Sequence, residues 1–214
     1  MKFKDRKDAA QKLIPKLQKY KKNPQAIILA LPRGGIILAY EIAKELKLPL
    51  DLIISQKIGA PFLQELAIGA ITEDGESFFD ENIISSYEVS EKYIEQETKK
   101  KIKEATRRVN LYRKNLPPLS LQDKIAILVD DGVATGATML VTIKSAKARK
   151  VKKIIVAVPV IAPDSLRKIE KEVDQVIYLE ASQSFGAVGQ FYEYFDQIDD
   201  KTVIELLKKA HEKA

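Results

Sequence analysis

The chain has no cysteine, which excludes disulfides, thiolate metal sites and cysteine nucleophiles. Its one histidine, His211, sits near the end of a polar C-terminal helix, so histidine acid–base catalysis is not expected. No apolar run approaches the roughly 20 residues of a membrane span. The start, Met1 to Lys7, has no apolar stretch behind it of the kind a signal peptide needs. A cytoplasmic protein with no membrane segment is the expectation. Neither G-x-G-x-x-G nor G-x-x-x-x-G-K-[ST] occurs. That removes the dinucleotide fingerprint and the P-loop, and leaves little support for a nucleotide hydrolase. No internal repeat and no low-complexity tract is present.

Length and charge are what the chain has instead. Its 214 residues can bury a full core as one domain, residues 1–214. The net charge of +6, from 36 basic and 30 acidic residues, tilts toward an anionic ligand or nucleic acid. The tilt is small, because much of the excess sits in lysine-rich helices whose alternating charges suit a solvated face.

Apolar spacing at Ala9, Ala10, Leu13, Ile14 and Leu17 predicts an amphipathic helix over 6–22, ended by Asn23-Pro24. A buried strand at 26–30, a helix at 36–46 and a strand at 50–55 make a strand–helix–strand unit and imply a parallel sheet. The middle differs. Asp74-Gly75 between short apolar runs predicts a hairpin over 67–79. A charged helix over 90–115 is then stopped by Pro117-Pro118. The parallel pattern resumes with strand 125–129, helix 137–149, strand 153–158, helix 164–172 and strand 175–179. A glycine- and aromatic-rich segment, 182–197, precedes a terminal helix at 200–213. The expected fold class is α/β, a doubly wound parallel sheet of about five strands.

The most informative run is Ile125 to Thr138. An apolar strand ends in Asp130-Asp131, then passes through Gly132, Val133, Ala134, Thr135 and Gly136 into a helix that opens on Ala137-Thr138. Backbone N–H groups of such a loop at a helix N-terminus can wrap a phosphate. Two adjacent carboxylates suit vicinal sugar hydroxyls, so the run is suited to a sugar phosphate. Asp-Gly also favours a β-hairpin turn, but a helix follows where the returning strand would be. Ligands of parallel sheets sit beyond the carboxyl ends of the strands. The first strand leads there into Pro32-Arg33-Gly34-Gly35, whose glycines allow close backbone approach and whose arginine can fork onto phosphate oxygens.

The order of residues 125–138 resembles the ribose-5-phosphate motif of the type I phosphoribosyltransferases, which use phosphoribosyl pyrophosphate (PRPP). Ala134 departs from it, where many members carry Thr or Ser. Lys57-Ile58-Gly59-Ala60-Pro61, then Glu65-Leu66-Ala67-Ile68-Gly69-Ala70, and Ala187 to Tyr192 are similar to a subgroup of predicted members with undefined substrate. The resemblance covers most of the chain. It implies the type I fold with an insertion at about 57–118 and a small C-terminal hood at about 180–198. It also implies that Arg33, Gly34 and Gly35 hold pyrophosphate in a loop that often contains a non-proline cis peptide, with Lys57 nearby after the second strand.

By the same resemblance, Asp130 and Asp131 hold the ribose hydroxyls, and Thr135 to Thr138 anchor the 5′-phosphate. A Mg2+ ion bridges pyrophosphate and ribose, reaching Asp130 and Asp131 through water or those hydroxyls. Phe185, Phe191 and Tyr192 are candidates to stack an acceptor, although for any one ring packing in the hood's own small core is the stronger reading. Glu193 and Asp196 could bond acceptor N–H groups, although surface solvation accounts for them equally well. The expectation is an enzyme that transfers ribose 5-phosphate from PRPP to an acceptor, a nucleobase first, and that forms a homodimer. The alternative is a PRPP-sensing regulator or RNA-binding protein without turnover. Nucleic acid is not an expected partner, because no basic–aromatic motif is present and the first helix is too short for a helix-turn-helix.

Overall fold

The computed structural model describes residues 2–64, 66–114 and 116–212. Outside the described residues lie Met1, Glu65 of the subgroup motif, Asn115 at the expected end of the charged helix, and Lys213 and Ala214. The chain begins with α1 (Arg6–Leu17), β1 (Ala26–Ala30), α2 (Gly35–Leu46) and β2 (Leu50–Leu52). Next come β3 (Ser55–Gly59), β4 (Ala67–Thr72), β5 (Ser77–Phe79), α3 (Glu81–Ser86) and α4 (Glu91–Arg113). The last part is β6 (Ile125–Val129), α5 (Ala137–Ala148), β7 (Lys153–Ile161), α6 (Pro163–Glu170), β8 (Gln175–Ala181) and α7 (Asp200–His211).

Five strands form one parallel sheet in the order β2-β1-β6-β7-β8. The apolar runs that nucleate it are buried on both faces, which explains why they read as continuous rather than alternating. Ile28, Ala30, Ile127, Val129, Ile155 and Ala157 face a core shared with α1, α2 and α7. Their neighbours Ile27, Leu29, Ala126, Leu128, Val156 and Val158 face a second core with α5 and α6. The sequence pattern and this doubly wound sheet agree.

Several boundaries move for identifiable reasons. The first helix stops at Leu17, and a 3-10 turn over Gln18–Tyr20 carries the rest of the expected span. Pro15, inside that helix, removes a backbone donor near its end. β7 runs on through Pro159 to Ile161 instead of stopping at 158. Pro159 lies past Ala157, the last residue of β7 in register with β6, so its missing N–H costs no bond to that strand. The expected strand 50–55 splits in two. Leu50–Leu52 pairs with β1, whereas Ser55–Gly59 starts a separate antiparallel sheet, β3-β4-β5.

This second sheet lies over α5 and α4. Ala67 and Ala70 pack on Ala137 and Val141 of α5. On its other side, Ile58, Ile68 and Ile71 meet Tyr93, Ile94 and Ile102 of α4. The charged helix is therefore not solvated all round. Its C-terminal half enters the main core through Ala105 and Tyr112. There the Tyr112 hydroxyl donates to Asp200 at 2.6 Å, and Arg113 pairs with the buried Asp51 at 3.1 Å.

Candidate active site

The carboxyl ends of β1 and β6 carry the two loops singled out by the sequence, and the structure brings them into contact. Leu31 N–H bonds to Val129 C=O at 3.0 Å, which ties the first loop to the end of β6. The Pro32–Arg33 peptide is cis, as expected for this loop. Gly34 then leads directly into α2. A Cβ on Gly34 would lie 1.9 Å from Asp131 Oδ2, and one on Gly35 would lie 2.6 Å from Val129 O and 3.2 Å from Asp130 Oδ1. A side chain at Gly35 would strike backbone and one at Gly34 would displace the Asp131 carboxylate, so the missing Cβ atoms let the acid pair and the glycine loop share one small volume.

Asp130 and Asp131 differ although they are adjacent. Asp130 Oδ1 accepts the Asp131 N–H at 2.8 Å, which fixes the turn out of β6. Burial, and then the neighbouring Asp131 carboxylate, push the Asp130 carboxyl well above the usual carboxylate range. Asp131 Oδ2 is held by Arg6 Nε at 2.8 Å. Burial raises the Asp131 carboxyl as well, and Arg6 pulls it part of the way back. The Tyr192 hydroxyl donates to the Asp131 carbonyl at 2.6 Å and so anchors the backbone of the same residue.

From Gly132 the chain runs along the end of β7. Val133 N–H bonds to Val160 C=O at 3.0 Å, and Ala162 N–H bonds to Val133 C=O at 2.9 Å. The Ser165 hydroxyl of α6 donates to the Ala134 carbonyl at 2.5 Å. Thr135 is exposed, Thr138 is half-buried, and Gly136 takes a φ of +80° at the N-cap of α5. No side chain caps that helix. The first-turn N–H groups of Ala137, Thr138 and Met139 have no intrahelical acceptor, and with the helix dipole they favour an anion.

The remaining expected residues are not all presented to a ligand. Arg33 is partly exposed, and its Nη1 is 3.8 Å from Asp200 at the start of α7. Lys57 is in β3, in register with Ala70, rather than in a loop after β2. The cause is the early end of β2, which hands the chain to the antiparallel sheet before Lys57. Phe191 and Tyr192 do not present a stacking face. They are 5% and 4% exposed and belong to the main core, with Phe185 against Phe191 and Phe3 against Tyr192. Apolar and polar demands both draw them inward: the rings fill the core, and the Tyr192 hydroxyl finds the Asp131 carbonyl. Glu193 and Asp196 are exposed.

The hood segment is not built from the C-terminal region alone. Phe3 N–H bonds to Phe191 C=O at 2.7 Å, Glu193 N–H to Phe3 C=O at 2.8 Å, and Tyr194 N–H to Lys4 C=O at 2.9 Å. The first residues of the chain thus form a pairing with residues 191–194. This pairing delivers Arg6, which the motif search passes over. One signal for it exists: helical spacing sets Arg6 on the same stripe as Ala9, Ala10, Leu13 and Leu17, a cation on an apolar face.

Among the described residues, no group of three or more His, Cys, Asp or Glu could hold a metal ion. Two adjacent carboxylates, one already paired with Arg6, nevertheless fit a Mg2+ ion that takes most of its oxygens from substrate and water. Among the same residues, no helix is long and apolar enough to cross a membrane.

The family model of the phosphoribosyl transferase domain matches residues 2–196. The chain is 35% identical over 209 residues to Mycobacterium tuberculosis Rv0571c, provisionally named a phosphoribosyl transferase, and to its counterpart MT0597 in a second strain. The match takes in 98% of this chain but 47% of those proteins, so the chain spans about half the length of the curated relatives it matches. The crystal structure of TT1426 from Thermus thermophilus is similar at a TM-score of 0.80 and 32% identity, covering 98% of this chain and 99% of that one. With the acid pair, the glycine loop and the uncapped helix in one place, and with a family model that spans nearly the whole chain, this protein belongs to the phosphoribosyl transferase domain family.

Proposed function

We propose that the chain transfers the 5-phosphoribosyl group of PRPP to an acceptor, with nucleobases as the first class of acceptor. The observation that carries this reading is the contact between the two loops: Asp131 lies against Gly34 and Asp130 against Gly35. A ligand with a phosphate on one side of a ribose and a pyrophosphate on the other matches that order of groups. The N–H groups at the start of α5 and the Thr135 and Thr138 hydroxyls take the 5′-phosphate. Asp130 and Asp131 take the ribose hydroxyls. The backbone of Gly34 and Gly35 takes the pyrophosphate, assisted by Arg33 and Lys57.

In the reaction the bond from ribose C1 to the pyrophosphate oxygen breaks, and its electron pair leaves with pyrophosphate. A new bond forms from C1 to the acceptor, which gives up a proton or arrives as an anion. Carboxylate charge beside the ribose opposes the positive charge that develops at C1, and the cationic side chains favour the departing anion. Magnesium, when bound, neutralises charge on the pyrophosphate. A homodimer belongs to the same proposal, and light scattering tests it.

Calorimetric titration with PRPP and Mg2+ is the direct test. Wild type should bind in the micromolar range, and Asp130→Asn/Asp131→Asn should weaken binding by about 2–5 kcal/mol, the usual cost of losing a buried charged partner. Binding followed by pyrophosphate release with one of a panel of acceptors supports transfer. Binding without release on any acceptor favours a sensor. A folded wild type that does not bind PRPP overturns the proposal.

A further inference from the structure

Arg6 is separated from the acid pair by most of the chain, yet it makes three contacts at the edge of the site. Its Nε reaches Asp131 Oδ2 at 2.8 Å. Its Nη1 donates to the Asp196 carbonyl at 2.8 Å. Its guanidinium lies 3.9 Å from the centre of the Phe195 ring. The arginine is only 8% exposed and Asp131 only 9%, so the pair is shielded from solvent and from salt. A buried arginine without a carboxylate, or a buried carboxylate without a cation, is costly, which makes the pair obligatory once the fold closes.

The surroundings give this pair a direction. Asp5 caps α1 by accepting the Asp8 N–H at 2.8 Å, and so fixes the first turn that carries Arg6. Phe3 is locked between Phe191 and Glu193 by backbone bonds, so Arg6 enters from an immobilised segment. On the far side, the Asp131 carboxylate lies against the Gly34 backbone. The carboxylate is therefore fixed from both sides, and its Oδ1 stays outside the bond to Arg6.

We infer that Arg6 is the positioning residue for Asp131, holding Oδ2 so that Oδ1 is presented to a ribose hydroxyl, and linking that carboxylate to the 191–196 segment of the hood. The inference rests on the proposed PRPP site and adds to it a residue outside every motif. It also gives the Phe195 ring and the Asp196 carbonyl a purpose: both orient the arginine rather than the acceptor.

Ligands that contain or lack ribose separate positioning from bulk stability. Calorimetry with PRPP, ribose 5-phosphate and inorganic pyrophosphate, each with Mg2+, is carried out on wild type, Arg6→Gln, Arg6→Lys, Asp131→Asn and Arg6→Gln/Asp131→Asn. Arg6→Gln should raise the Kd for PRPP and ribose 5-phosphate by about tenfold or more, because a charged partner is lost at a buried pair, and leave pyrophosphate unchanged. Arg6→Lys keeps the cation without the fork and should fall between wild type and Arg6→Gln. It also serves as the readout if Arg6→Gln does not fold. The double variant should lose no more than Asp131→Asn alone, since the arginine acts through that carboxylate.

Wild-type affinities for all three ligands in Arg6→Gln and Arg6→Lys would make Arg6 a structural brace and overturn the inference. A loss that includes pyrophosphate would do the same, since it would report general disturbance of the site. Absence of PRPP binding by wild type overturns the proposed function and this inference together. Binding by wild type with unaltered arginine variants overturns the inference alone.

Discussion

The two sheets of this molecule do different work with different materials. The parallel sheet is built from Ile, Leu and Val runs buried on both faces, between two large cores. The antiparallel sheet has one modest apolar face toward α4, and meets α5 largely through alanines. What alanines leave short is supplied by polar bonds. Arg149 of the α5 C-cap reaches Glu73 at 2.7 Å and Asp74 at 3.0 Å, Ser145 donates to Asp74 at 2.7 Å, and Lys144 to the Ser77 carbonyl at 3.0 Å. The parallel sheet carries the two loops of the candidate site at its carboxyl edge, whereas the antiparallel sheet is held by the apolar face of α4 on one side and by a smaller, partly polar contact with α5 on the other.

The largest effect should come from the parallel sheet. Ile127→Ala removes a fully buried side chain from the core shared with α1, α2 and α7 and should lower unfolding free energy by about 2–5 kcal/mol, read by urea denaturation. Ile58→Ala in β3 should instead accelerate amide exchange in β3, β4 and β5 more than in β1 or β6. Equal loss of protection in both sheets would show that they unfold as one unit and end the comparison.

A smaller effect follows from cutting the polar attachment. Arg149→Met keeps the aliphatic stem and removes bonds to two carboxylates, so it should cost about 1–3 kcal/mol, and exchange in the β4–β5 hairpin should rise first. If the hairpin keeps its protection, the alanine contact suffices and the polar bonds are incidental.

Smaller still is a dependence on pH. Burial pushes the Glu73 carboxyl above its ordinary 4.5, even with Arg149 opposite. The folded protein then holds that proton more tightly than the unfolded chain, so stability falls as pH rises from 4.5 through the folded value. Glu73→Gln cannot ionise, and its stability relative to wild type should therefore improve between about pH 4 and pH 7 in denaturation curves. A constant difference across that range would remove Glu73 from the pH response. At the bottom of the scale, Glu95→Gln breaks an exposed pair with Lys99 on α4 and should leave Tm unchanged within error.

How much of this was legible beforehand depends on whether the information is contiguous. The α/β class and the five parallel strands follow from apolar runs whose length and spacing are local. The acid pair, the small-residue loop and the uncapped helix follow from one unbroken run, 125–138, because strand, turn and helix N-terminus are consecutive along the chain. The glycine loop at Gly34 and Gly35 was legible for the same reason. The early end of β2 was not, since nothing local in Leu50 to Gly59 separates a strand that pairs with β1 from one that pairs with β4.

By itself, then, the sequence determined the sheet, the two loops at its carboxyl edge and the residue types that can meet a sugar phosphate. Only the tertiary structure decided which of those residues are available and which are already engaged. It turned Phe191 and Tyr192 into the core, put Lys57 on a second sheet, and set Arg6 against Asp131 across 125 positions. The physical reason is that burial and ion pairing are settled by long-range closure, when the chain's first residues pair with residues 191–194. A side chain's chemistry is written locally, but its partner is assigned by whatever the fold brings beside it.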